Sequence, residues 1–323
     1  MDVTGTGVTD TPERLDMDGA EEARARDAAE EASAFSHPPV APDATAAYGE
    51  HPDQVVDFYA PRSEPAGSAP LVVVLHGGAW RDPYDRAHVS PFADFLARWG
   101  FAVASVEYRR GRPEPGAGIP RQGAGPGVEP VRGAEPVAGR WPETFDDVAA
   151  ALDALPSLVR EQLPVADPRR TVLTGHSAGG QLALWAAARH VLPADAPWFL
   201  PRPMPLRGVV ALAPIADFTA ARELDVCSGA PVQLLGGEAS FEERLALADP
   251  ASLLPTGIAT TIVQGRSDLV VPAAVAEAYA DAAAKEGEVV GVTLLEETGH
   301  FPLIDPAADA CAVVAEEIAQ LAF

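Results

Sequence analysis

The chain has almost no lysine. Lys285 is the only one in 323 residues, so arginine carries nearly all the positive charge. With 47 acidic residues against 23 basic ones, the formal net charge is −24. Such a surface repels phosphate backbones and anionic headgroups, so neither nucleic acid nor membrane is expected as a partner. Cysteine is also scarce. Cys227 and Cys311 lie far apart and outside any C-x-x-C spacing, which excludes a disulfide framework and a metal site of that spacing. Cys311 falls in an amphipathic stretch and is expected in the core. No apolar run reaches the length of a membrane span. The N-terminus lacks a basic start followed by an apolar run, so no export signal is expected and the chain is read as cytoplasmic. Hydrophobic residues are not scarce: they make up 47% of the chain, enough for a large core.

Residues 1–44 read as an acidic tail and linker. Met1 to Ala34 holds ten Asp/Glu against three Arg and few large apolar residues. Disorder is the default for such composition, although 21–34 could form a charged helix with nothing to bury it. Removal of this segment is expected to leave fold and activity intact. From residue 45 onward the pattern changes. Val55-Val56-Asp57-Phe58-Tyr59, Leu71 to Leu75, Phe101 to Val106, Arg170 to Thr174, Val209 to Leu212, Thr260 to Gln264 and Val289 to Leu295 read as strands. Helical patterns separate most of them. Strands alternating with helices predict a mostly parallel central sheet with helices on both faces, residues 45–323 forming one α/β domain. One stretch breaks the pattern: Gly111 to Arg140 carries eight glycines and six prolines in 30 residues. It is expected to be a disordered surface insertion or a loop near the site.

The chemistry concentrates around Gly175-His176-Ser177-Ala178-Gly179-Gly180, which lies between a β-branched strand and a run of helix formers. Strand, Gly-x-Ser-x-Gly and helix in that order make a nucleophile elbow. Its serine stands at the apex, and the helix N-terminus below it favours a developing anion. A serine hydroxyl needs a base, and the base needs an acid to hold its tautomer. Of the seven histidines only His190 and His300 follow the elbow. His190 ends the helix that starts there and reads as a helix-terminal cation. His300, in Thr298-Gly299-His300-Phe301 just past the last strand, is the expected base. Asp268, after the Thr260 to Gln264 strand, is the expected acid, with Asp217 as its competitor. Asp305, before Pro306, reads as an N-cap of the last helix. His76-Gly77-Gly78-Ala79-Trp80 directly follows a buried strand. The backbone N–H groups of Gly77, Gly78 and Ala178 are the expected oxyanion donors. His76 is expected to orient this loop. Trp80 either lines the pocket or packs under the loop.

These motifs together resemble the α/β-hydrolase superfamily of serine esterases and lipases, over about residues 48–323 without the 111–140 insertion. Ala79 and His176 stand where hormone-sensitive-lipase-like esterases usually carry glycine and aspartate. His-Gly-Gly-x-Trp with Gly-His-Ser-Ala-Gly, and Tyr48-Gly49 before Asp57-Phe58-Tyr59, are similar to the kynurenine formamidase (arylformamidase)-like branch. The resemblance implies an α/β-hydrolase fold and a cofactor-free, metal-free serine hydrolase. Its substrate would be a small acyl ester (carboxylesterase-like) or an activated aryl amide of the N-formylkynurenine type. A non-catalytic binding protein on the same scaffold is the reading from another class. The insertion leaves pocket mouth and substrate open, and nothing in the sequence indicates an oligomeric state.

Overall fold

The computed structural model describes residues 12–63, 67–111 and 137–323. Among these, eight strands form one sheet. In chain order they are β1 (Ala44–Ala47), β2 (Val55–Tyr59), β3 (Ala69–Leu75), β4 (Ala102–Val106), β5 (Ala166–His176), β6 (Leu206–Leu212), β7 (Thr260–Gly265) and β8 (Gly291–Leu295). Their order across the sheet is β1-β2-β4-β3-β5-β6-β7-β8. The first two strands pair antiparallel, and every pairing from β4 through β3 to β8 is parallel. The predicted mostly parallel α/β sheet is therefore the fold observed.

The helices are α1 (Pro12–Ala34), α2 (Ser90–Arg98), α3 (Glu143–Gln162), α4 (Ala178–Ala187), α5 (Phe218–Glu223), α6 (Ala230–Leu234), α7 (Glu238–Ala248), α8 (Ala273–Lys285) and α9 (Asp309–Ala322). Alternation along the strands divides the core in two. Leu71, Val73 and Leu75 of β3 face α3, α4 and α8, joining Phe145, Leu182, Trp185 and Tyr279. Val72 and Val74 face the other way, joining Phe92 and Leu96 of α2 and Cys311, Val314 and Ile318 of α9. Both faces of the central strands are covered, which is why their sequences are continuous apolar runs rather than alternating ones. Cys311 is fully buried, as its helical position predicts.

The N-terminal segment departs from expectation. Residues 12–34 form a helix, and residues 37–47 are tied to the sheet. Ser33 Oγ donates to Asp305 Oδ2 (2.6 Å), and His37 Nε2 donates to Asp305 Oδ1 (2.7 Å). Glu30 accepts from the Gly299 N–H (3.3 Å). The ring of Phe35 packs edge-on against Phe301, with centroids 5.5 Å apart. Val40 N–H donates to Ser90 Oγ, Asp43 pairs with Arg62, and β1 then adds to β2. A polar helix needs little apolar area when one aromatic residue and several charge-assisted hydrogen bonds seat it. Asp305 serves this docking and accepts from Ala307 N–H, while the residue that caps α9 is Ala308. Most of the Gly/Pro-rich stretch expected as an insertion lies outside the described residues. Its two ends are pinned: Gly111 and Gly139 N–H both donate to the Trp80 carbonyl (2.9 and 2.8 Å).

Two outcomes follow. Phe145 is fully buried between Trp141, Trp185 and Trp198, so Phe145→Ala should cost about 3–5 kcal/mol, read from urea midpoints. The double variant Ser33→Ala/Phe35→Ala should remove hydrogen-exchange protection from the last turns of α1 while the β3–β6 amides keep theirs. Loss of protection throughout the sheet would contradict a locally docked helix.

Candidate active site

The elbow is built by backbone contact. A Cβ on Gly179 would lie 2.0 Å from the Leu75 carbonyl oxygen and 2.4 Å from that of His76; one on Gly175 would lie 2.2 Å from the Gly179 oxygen. Only hydrogen fits there, so α4 starts pressed against the ends of β3 and β5. Ser177 between them has φ 57° and ψ −118°, a sparsely populated conformation for a residue with a side chain. Its N–H donates to the Leu212 carbonyl (2.8 Å), and its carbonyl accepts from Gln181 N–H, the first turn of α4.

The loop after β3 meets this turn. A Cβ on Gly77 would lie 2.8 Å from the His176 oxygen and 3.4 Å from Ser177 Cβ. Gly78 has φ 101°, and a Cβ there would strike Tyr84 at 2.2 Å. Gly77 thus abuts the elbow at His176 and Ser177, while Gly78 packs against Tyr84 and faces the cavity. Behind the loop, the His76 ring contacts the Gly77 carbonyl and the Glu107 carboxylate, both at 2.9 Å. Tyr108 stacks on His76 at 4.2 Å and donates its hydroxyl to the His76 carbonyl. Burial alone would push the Glu107 carboxyl up. His76, Arg110 and the Arg86 N–H outweigh it and hold the group at about 2. His76 therefore occupies the orienting position expected of it. Trp80 is fully buried, packing edge-on against Phe218 at 5.9 Å. It lies under the loop and is not among the pocket-lining residues, which decides against the pocket role.

The expected base and acid are adjacent. His300 Nδ1 donates to Asp268 Oδ2 at 2.7 Å, and both residues are at most 5% exposed. Asp268 is fixed by four donors: Val270 and Val271 N–H on Oδ1 (2.8 Å each), and His300 and Gln264 on Oδ2. Asp217 is engaged elsewhere, as N-cap of α5 through Ala220 N–H (2.9 Å). His190 donates to the Thr256 carbonyl (2.9 Å), away from the elbow. Among the described residues Ser177 Oγ makes no hydrogen bond. The link between elbow and base is instead the neighbouring ring: His176 Nε2 donates to the His300 carbonyl at 2.9 Å.

A cavity of about 280 Å³ opens against Gly78, His176 and His300. Its outer wall includes Asp27, Glu31 and Phe35 of the N-terminal segment. Residues read as a tail thus contribute to the site. Burial, followed for Asp27 by the nearby Asp268 charge, pushes the Asp27 and Glu30 carboxyls up. A sequence signal existed in the single aromatic Phe35 at the end of an otherwise polar helix. Cys227 also lines the cavity, its thiol pushed up to about 11 by burial.

A sequence model described as the alpha/beta hydrolase family matches residues 72–313, three-quarters of the chain, and the chain belongs to that family. A probable carboxylic ester hydrolase, LipM, of Mycobacterium tuberculosis is 26% identical over 179 residues. That match covers 55% of this chain and only 35% of LipM, so the chain spans about a third of that relative's length. Esterase B of Lactobacillus rhamnosis, with a tributyrin phosphonate inhibitor, superimposes with a TM-score of 0.68 at 17% identity, covering 97% of this chain and 96% of that one. A truncated carbohydrate esterase from gut microbiota gives 0.66 at 18%, covering 88% and 99%. At such identities the structural likeness speaks for the fold. Among the described residues no helix is long and apolar enough to cross a membrane.

The buried His176 has a measurable consequence. Burial, then the neighbouring His300, holds its pKa well below 6.5. The unfolded chain takes up that proton near the ordinary value and the folded chain does not. Stability is therefore complete above that value and is lost as pH falls below 6.5. The loss should approach about 1.4 kcal/mol per pH unit. Urea unfolding at pH 7.5 and 5.5 should show this component in the wild type and lack it in His176→Gln.

Proposed function

We propose that this chain is a serine hydrolase that cleaves a small acyl ester through an acyl-enzyme. The observation carrying the reading is the buried 2.7 Å hydrogen bond from His300 Nδ1 to Asp268, at the sheet edge where Ser177 stands in its strained turn. With Nδ1–H held by the carboxylate, Nε2 of His300 is the free base. Ser177 Oγ attacks the ester carbonyl carbon as Nε2 takes the hydroxyl proton. The carbonyl oxygen becomes an oxyanion, met by the N–H groups of Ala178 and of Gly77 or Gly78. The tetrahedral species collapses, the C–O bond to the alcohol breaks, and Nε2 returns the proton to the leaving oxygen. Water, deprotonated by the same nitrogen, then attacks the acyl-serine carbonyl; the second tetrahedral species collapses, the C–Oγ bond breaks, and Nε2 returns the proton to Ser177 Oγ as the acid leaves. Asp268 stays ionised and compensates the imidazolium that forms twice per cycle.

The cavity beside His300, about 280 Å³, lies just under the range of about 300–1,000 Å³ typical of drug-sized ligands, which supports a small substrate. The name of the LipM relative supports an ester over an amide. The low-pKa Glu107 and its partners keep the oxyanion loop rigid in this reading.

Purified protein should hydrolyse nitrophenyl acetate and butyrate well, octanoate poorly and N-formylkynurenine little. A preference for the last would instead make it an arylformamidase. A fluorophosphonate probe should label the wild type but not Ser177→Ala; equal labelling would move the nucleophile elsewhere. Asp268→Asn should lower kcat by roughly 10³–10⁴-fold, far more than Asp217→Asn. The reverse ranking would transfer the acid to β6.

A further inference from the structure

We infer that His176 is a positioning residue for the base: its Nε2–H pins the His300 backbone carbonyl and so aims the His300 ring. The inference rests on the serine-hydrolase reading above. The His300 carbonyl accepts, so His176 must donate from Nε2, and its ring is the neutral Nε2–H tautomer. The ring is buried, and its centroid lies 4.3 Å from that of His300. The same residue touches the oxyanion loop. Its backbone oxygen and Nδ1 are the atoms a Cβ on Gly77 would meet first, at 2.8 and 3.1 Å. His176 thus sits where the elbow, the oxyanion loop and the base loop come together.

The consequence is geometric. Asp268 fixes the His300 ring at Nδ1, which leaves the ring free to swing with its backbone. In the loop after β8 the Thr298 carbonyl accepts from Ser267 N–H (3.0 Å), but past it Gly299 has no side chain and His300 opens a single 3₁₀ turn, Phe301–Leu303. From the outside Glu30 accepts from Gly299 N–H. From the inside the His176 bond fixes the carbonyl, and with it the direction of the His300 Cα–Cβ bond. Two anchors, at Nδ1 and at the carbonyl, leave Nε2 one direction in which to point. The anchor must also stay uncharged, because a cation this close would oppose the imidazolium of His300. Burial keeps it so.

The test compares His176→Leu and His176→Gln with wild type, using nitrophenyl butyrate turnover, fluorophosphonate labelling rate and thermal unfolding. His176→Leu keeps bulk and loses the donor. Its kcat and labelling rate should fall about 10²-fold, the cost of a misplaced catalytic group. KM should change by less than about threefold. His176→Gln supplies an amide N–H at similar reach and should recover about tenfold of that loss. A merely structural role would lower the melting temperature of both variants without separating their turnover. The inference is overturned if folded His176→Leu turns over within about twofold of wild type, or if His176→Gln is as slow as His176→Leu. If His176→Leu fails to fold, His176→Ala takes its place as the donor-free variant beside His176→Gln, and the same two outcomes overturn the inference: turnover within about twofold of wild type, or no separation from His176→Gln. Labelling of Ser177→Ala would sink the serine reading itself, a result separate from either of these.

Discussion

Backbone pressed against backbone at the start of α4 sets the geometry on which the rest of the site depends. The Cα of Gly179 faces the carbonyls of Leu75 and His76 at distances no Cβ could occupy. That contact brings the ends of β3 and β5 together, with Gly77 against His176 and Ser177. Ser177 is held at positive φ by the same crowding, at a cost of about 1–3 kcal/mol that the surrounding sheet sustains. Without the glycines the two loops would separate, and in the proposed mechanism the oxyanion would lose its donors from one side.

Buried charge holds the loops that meet there. Glu107 lies beneath the oxyanion loop and satisfies His76, Arg110 and the Arg86 N–H at once. Removing one partner of such a cluster strands a buried charge, typically at about 3–5 kcal/mol, so the cluster locks the loop strongly. Asp268 is handled in the same way on the opposite side, with four donors on two oxygens. Both carboxylates are saturated, yet they differ in use. The partners of Glu107 lead back into the fold, and one partner of Asp268 faces the cavity. His176 joins the two sides through a single neutral hydrogen bond.

The site also has an outer wall at which only one local feature hinted, the aromatic Phe35 just past a polar helix. Helix α1 is polar along most of its length and carries no apolar stripe. Its anchors, Asp305, Gly299 and Phe301, lie more than 260 residues away in sequence. Ser33, Phe35 and His37 gain meaning only when those partners arrive. Trp80 was ambiguous for a related reason. A tryptophan after two glycines can face a cavity or the core, and the packing of Phe218 beneath it decides.

The sequence by itself determined the sheet and the strand-turn-helix elbow, and it marked the candidates for the proposed chemistry. Those features are written in local signals: continuous apolar runs for strands covered on both faces, glycines where backbones touch, and chemistry-bearing residues just past strand ends. It singled out Ser177, Asp268 and His300 because a parallel sheet delivers all its strand ends to one edge. Tertiary structure decided what depends on long-range complementarity. It paired Asp268 with His300, turned Asp217 into a helix cap, put Trp80 in the core, aimed His176 at the His300 carbonyl and seated α1 over the cavity. Each of those outcomes is a contact between segments whose local preferences carry no information about one another.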